Sequence, residues 1–149
     1  MEHLFTYGTL RPGGRNADLL ELGQTDKPQY EAATAAGMAI YASRSGAFPY
    51  AVAHPALSVH GTLVGFSAAQ WAAARPHLDA LEGFDPRRPE HGHYVRRRWL
   101  VRTGCGREVL AWVYLAGPRT PVDTDRLIPS GNWLDRALRH PRLAPSLSA

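Results

Sequence analysis

With 149 residues, 44% of them hydrophobic, the chain holds material for one core, and no second domain is expected. No apolar run approaches about eighteen residues and no basic stretch leads into a hydrophobic one at the N-terminus, so neither a membrane span nor a signal peptide is expected, and the protein reads as cytoplasmic. The net charge of +4 is carried by scattered arginines, with Lys27 the single lysine and no aromatic RNA-binding motif or recognition helix, which argues against a nucleic-acid partner.

In chain order, the first element is an apolar strand, His3–Tyr7, that runs into the glycine-bearing loop Gly8–Gly14. A strand stopping at a glycine can turn with its N–H groups outward, and such a concave run of amides binds an anion or oxyanion. The loop lacks the Walker spacing and its Gly-Lys-Ser/Thr ending, so it is not a nucleotide site of that kind. A short helix over Ala17–Leu22 follows, with Asn16 as the expected N-cap. Tyr30–Tyr41 and Ala47–Ala53 read as extended segments broken at Ser43–Gly46, and Leu57–Phe66 as a long central strand.

Ser67 and Gln70 form a capping box that starts a helix. Pro76 divides this pattern, so two short helical turns are expected, the second closing before Gly83. At 100° per residue Glu82 falls roughly 40° from Leu78 and roughly 100° from Leu81, beside an apolar stripe, whereas Asp79 is expected to point away. A carboxylate on a core-facing stripe loses solvent, its pKa rises, and it becomes suited to proton transfer near neutral pH; such a residue also commonly snorkels out or pairs with an arginine.

Asp85–Gly92, with charges of both signs and two prolines, reads as an exposed loop placed to cover a site near Glu82. Tyr94–Arg102 and Arg107–Leu115 form a hairpin whose tip carries Cys105, the single cysteine, read as an incidental exposed thiol. Within the hairpin, alternation sends Arg96 and Arg98 to one face and Arg97 to the other, read as solvated rather than as a patch. His91 and His93 share a strand face but lack a third ligand, so no metal site is expected. A last helix is expected from Ser130 to about Arg139, ending a domain of residues 1–140, with a disordered tail over 141–149. Strands mixed with a few short helices imply an α+β domain with an antiparallel or mixed sheet.

The segments Tyr7-Gly8-Thr9-Leu10 and Leu78-Asp79-Ala80-Leu81-Glu82-Gly83 resemble the γ-glutamylcyclotransferase family, in its γ-glutamylamine cyclotransferase-like branch. Phe48-Pro49, Val59–Leu63, Tyr94-Val95-Arg96, Ala111–Tyr114 and Ser130–Trp133 match in the same order, so the resemblance spans about residues 3–134. Thr62 departs from it, standing where the family often has an acidic residue. The resemblance implies a small, partly closed β-barrel with flanking helices and a pocket at one mouth. It further implies Glu82 as the catalytic residue, substrate contacts from Tyr7, Gly8, Thr9, Leu10, Tyr94 and Tyr114, no cofactor, and a small γ-glutamyl substrate as partner, with no obligate protein partner evident. The implied reaction closes the γ-glutamyl group to 5-oxoproline and releases an amine. A non-catalytic barrel that binds a small anionic metabolite through the same loop is the alternative.

Overall fold

The computed structural model describes residues 1–135, so the second half of the helix expected from Ser130 and the expected tail lie outside the described residues. Five strands, β1 (Glu2–Thr6), β2 (Gln29–Ala42), β3 (Pro49–Phe66), β4 (Tyr94–Thr103) and β5 (Glu108–Ala116), close into a barrel in the order β1-β3-β2-β4-β5. One α-helix, α1 (Ala68–Glu82), packs on it, with short 3-10 turns at Ala17–Leu20, Thr124–Arg126 and Trp133–Asp135. The expected α+β class and small mixed barrel are therefore found. The barrel is closed, but two seams are thin. β1 meets β5 in parallel through Leu4 and Trp112, and β2 meets β4 antiparallel through Ala33–Thr103 and Thr34–Arg102, like the longer β1–β3, β2–β3 and β4–β5 ladders.

The segments read as separate strands at Ala47–Ala53 and Leu57–Phe66 are one strand, β3. Its pairing with β2 slips between Ala36 and Met38, and Pro55 falls in the slipped stretch, where no ladder N–H is needed from it. A proline at a bulge thus bends a strand that a proline in a regular ladder would have ended.

Alternation along the strands divides the apolar residues into two sets. Phe5, Met38, Ile40, Val59, Leu63, Val101 and Val113 fill the barrel interior, and Trp133 plugs it from the chain's later segment. Leu4, Val64, Phe66, Tyr94 and Tyr114 pack with Trp71, Ala74 and Leu78 of α1. The Ser130–Trp133 segment is pinned from two sides: the Gly131 carbonyl accepts from the His60 amide at 2.8 Å, and the Asn132 side chain accepts from Arg11 at 2.8 Å.

α1 starts at the expected capping box, Ser67 accepting from the Gln70 amide and Gln70 from the Ser67 amide. It does not divide at Pro76. An interior proline costs about 3 kcal/mol in part through a freed carbonyl. Here Pro76 and Ala72 are both exposed, so water reaches that carbonyl, while Trp71, Ala74 and Leu78 anchor the helix on either side of the proline. The helix ends at Gly83, whose φ of 67° is left-handed; the Gly83 amide bonds Ala80 and the Phe84 amide bonds Asp79.

Asn16 is not the expected cap. It makes no side-chain capping bond and instead donates to the Thr9 hydroxyl at 3.0 Å, while its amide bonds the Thr9 carbonyl, so it braces the glycine loop. The expected helix at Ala17–Leu22 is a 3-10 turn over Ala17–Leu20.

Candidate active site

Because α1 is continuous, Trp71, Ala74, Leu78 and Glu82 share a stripe about 80° wide. The first three are buried against the barrel, and Glu82, as the last helical residue, is carried along the same stripe to the barrel rim. There it lines a cavity of about 340 Å³. The walls come from the end of β1 and its loop, the start of β3, the C-terminal turn of α1, and the facing rims of β4 and β5. Tyr7, Gly8, Thr9, Leu10, Glu82, Tyr94 and Tyr114, seven positions singled out by the sequence, all line this one cavity.

Burial raises the Glu82 pKa from 4.5 to about 8. A position at the C-terminal, negative end of a helix acts in the same direction. Among the described residues no arginine, lysine or histidine forms an ion pair with Glu82 and no group hydrogen-bonds to it, so nothing offsets the loss of water. Near neutral pH the carboxyl can therefore exist in either form.

The tyrosines around it are fixed by their hydroxyls. Tyr7 donates to the Tyr114 carbonyl, Tyr94 donates to the Pro49 carbonyl at 2.8 Å, and Tyr114 donates to Asp79 Oδ1 at 2.6 Å. Burial pushes the pKa values of all three up, and the nearby Glu82 charge adds to the rise, so each remains a neutral donor throughout the physiological range. The rings form a rigid, mostly apolar wall with its polar ends spoken for.

Asp79 does not point away, as the stripe argument expected. It is buried, accepts from Tyr114, and lies 3.7 Å from Arg96 Nε. The apolar stripe understated the buried face of the helix because the rim of β4 and β5 wraps one side of it and supplies polar partners there. Leu81, counted as part of the stripe, is exposed and lines the cavity instead.

Arg96 likewise corrects the solvated reading of the Arg96–Arg98 run. Its guanidinium carbon lies 5.9, 5.2 and 5.0 Å from the ring centroids of Trp71, Phe84 and Trp112. Cation–π attraction of this kind supports a buried guanidinium.

Gly8 also has a different reason from the expected one. Its φ is not in the left-handed region; a Cβ there would sit 2.7 Å from Pro49 Cδ, so glycine is required by the close approach of β3 to the loop. The amides of Gly8, Thr9 and Leu10 have no acceptor among the described residues, whereas the Gly8 and Thr9 carbonyls accept from Arg11 and Asn16. The loop is thus held by its carbonyls, with three consecutive donors left over at the cavity wall.

Sequence reasoning missed Arg15, Tyr50, Leu81 and His93 as lining residues. Tyr50 and His93 adjoin the quoted Phe48-Pro49 and Tyr94 motifs, and that adjacency was the available signal. The loop Asp85–Gly92, expected to cover the site, contributes no lining residue; only its flanks Gly83 and His93 do. Cys105 sits exposed at the hairpin tip, away from the cavity lining.

The fold and cavity define a small closed barrel with a rim pocket built around one unpaired carboxyl. The chain belongs to the gamma-glutamyl cyclotransferase, AIG2-like family, whose model matches residues 4–135. Among solved structures it is similar to YkqA from Bacillus subtilis, at 22% identity and a TM-score of 0.64, over 92% of this chain and 41% of that one. It is similar to an uncharacterised protein from Pyrococcus horikoshii, at 17% identity and a TM-score of 0.59, over 94% of this chain and 96% of the other. It also resembles an AIG2-like protein from Mus musculus, at 20% identity and a TM-score of 0.58, over 83% and 86% of the two chains. These likenesses are of fold. No curated protein matches the chain in sequence.

Proposed function

We propose that this protein cyclises the γ-glutamyl group of a small γ-glutamyl amide or amine to 5-oxoproline and releases the amine, with Glu82 moving the protons. The observation that carries the reading is Glu82 itself: a carboxyl with a pKa of about 8, without an ionic partner among the described residues, on a cavity wall shared with the unpaired amides of Gly8–Leu10. Family membership supports matching that geometry to a cyclotransferase reaction.

The substrate brings its own nucleophile. Its α-amino nitrogen attacks the γ-carbonyl carbon, forming the ring C–N bond, and the original amide C–N bond breaks. Glu82 takes a proton from the attacking nitrogen and returns one to the departing amine, so the carboxylate is regenerated and no proton is gained or lost. A base with a pKa near the working pH can perform both transfers. The enzyme's further task is to hold a flexible chain in its ring-closing shape, for which oriented intramolecular reactions offer large rate gains. In this reading the amides of Gly8, Thr9 and Leu10 hold the α-carboxylate or the developing oxyanion, and Tyr7, Tyr94 and Tyr114 shape the wall. Preorganised donors at an oxyanion are worth about 3 kcal/mol each.

Incubation with a panel of γ-glutamyl compounds, measuring 5-oxoproline and free amine together, tests the proposal. Equal amounts of both products are expected. A substrate acetylated on its α-amine should yield neither; amine released from it at a comparable rate would indicate hydrolysis through an acyl-enzyme and refute cyclisation.

A further inference from the structure

We infer that the Tyr50 hydroxyl donates a hydrogen bond to the γ-carbonyl oxygen of the substrate as ring closure turns that oxygen into an oxyanion, which leaves the Gly8–Leu10 amides for the α-carboxylate. This rests on the γ-glutamyl reading above and specifies it. Four tyrosines line the cavity, and three have committed their hydroxyl hydrogen to the protein: Tyr7 to the Tyr114 carbonyl, Tyr94 to the Pro49 carbonyl and Tyr114 to Asp79. The Tyr50 side chain makes ring contacts only, so its hydroxyl is the one phenolic donor of the lining still open among the described residues.

An open donor favours a transition state when its position is fixed beforehand. Tyr50 stands in the β3 ladder opposite Tyr41, and its half-buried ring is wedged between Phe48, edge to face at 5.5 Å, and Tyr94 at 5.1 Å. Tyr94 is pinned in turn to the carbonyl of Pro49, the residue before Tyr50, at 2.8 Å. Burial raises the Tyr50 pKa and the Glu82 charge adds to the rise, so the phenol keeps its proton at neutral pH and lies within electrostatic reach of the base. The γ-carbonyl carbon must come to bonding distance of the nitrogen that Glu82 serves, which brings its oxygen into the same neighbourhood. The proton stays on Tyr50 throughout, and the hydrogen bond strengthens as charge builds on the acceptor. The α-carboxylate, charged from the outset and with two oxygens to satisfy, is matched by a run of backbone donors.

Tyr50→Phe keeps the ring and its packing and removes the donor, and it should melt like the wild type because the hydroxyl has no protein partner among the described residues. The test uses γ-glutamylalanine and γ-glutamylethylamide, which share the γ-carbonyl and differ in the leaving amine. On both, kcat for 5-oxoproline formation should fall by at least about tenfold with KM held within about threefold, the pattern of an interaction made only in the transition state. The acid limb of the pH–rate profile should keep its wild-type pKa.

An unchanged kcat would overturn the inference. So would a loss confined to one substrate, which would put Tyr50 on the leaving group, or a loss carried by KM, which would put it on the ground-state substrate. An acid limb displaced by about a pH unit would also overturn it, since Tyr50 would then act through Glu82. Each of those results leaves cyclisation itself standing. A wild type that forms 5-oxoproline from neither compound would overturn the γ-glutamyl reading and this inference together.

Discussion

Asp79 and Glu82 are two carboxylates three residues apart on one helix, both turned toward the barrel. Asp79 accepts the Tyr114 hydroxyl at 2.6 Å and faces Arg96 at 3.7 Å, with Trp71, Phe84 and Trp112 around the guanidinium. Glu82 has no such company among the described residues, and burial alone pushes its pKa to about 8. The same chemical group is thus used in two ways. With partners it ties a helix to a strand rim; without them its charge remains negotiable, which is what proton transfer requires.

Exchanging the two roles should prove impossible, and the variants that break the comparison most strongly act on Glu82. Glu82→Gln should fold normally and lose at least about a hundredfold in turnover. Its stability should differ from wild type in a pH-dependent way. The folded carboxyl keeps its proton up to about 8 and the unfolded one only to 4.5, so between those values the native state binds more protons and wild-type stability falls as pH rises. Glu82→Gln lacks that slope, and thermal melts should show its advantage growing from pH 5 to pH 8.

Asp79→Ala should show the opposite pattern. Removing one partner of a buried pair typically costs about 3 kcal/mol, roughly 10 °C in Tm for a chain of this size, and strands Arg96 among the aromatic rings. Whatever activity the variant keeps should show the wild-type pH profile, because Glu82 keeps its surroundings. Denaturant unfolding combined with pH–rate measurement checks both halves.

Gly8→Val acts on the other wall. With a Cβ 2.7 Å from Pro49, loop or strand must shift, and affinity for 5-oxoproline measured by calorimetry should fall by at least about tenfold through displaced amides. Thr9→Ala should be the mildest change, within about threefold in kcat/KM, because it deletes a hydroxyl that accepts from Asn16 and leaves the backbone donors in place.

The strands, the hairpin around Cys105 and the capping box were readable because each is a local signal: alternation, a turn with glycines, or a side chain reaching its own backbone three residues on. Helical phase put Glu82 beside the apolar stripe, and the motif resemblance was what pointed from there to a pocket. What local pattern missed was decided by neighbours distant in sequence. Pro55 and Pro76 look like breakers until the slipped ladder and the solvent-facing carbonyl excuse them. Gly8 looks like a turn residue until Pro49 is seen against it. Asp79 and Arg96 look like surface charges because each is polar alone; only the packing of α1 across β4 makes them a pair. Arg15 carried no sequence signal, since a lone arginine in a loop acquires meaning only from the cavity it borders.

The account stands on Glu82 acting as a base of raised pKa, and the pH dependence of kcat/KM for 5-oxoproline formation tests that most directly. On this proposal the free protein is active with Glu82 ionised, so the rate should climb tenfold per pH unit on the acid side and level off with an apparent pKa near 8. A profile flat from pH 5 to pH 9, or one whose acid limb falls at the ordinary carboxylate value of about 4.3, would contradict it.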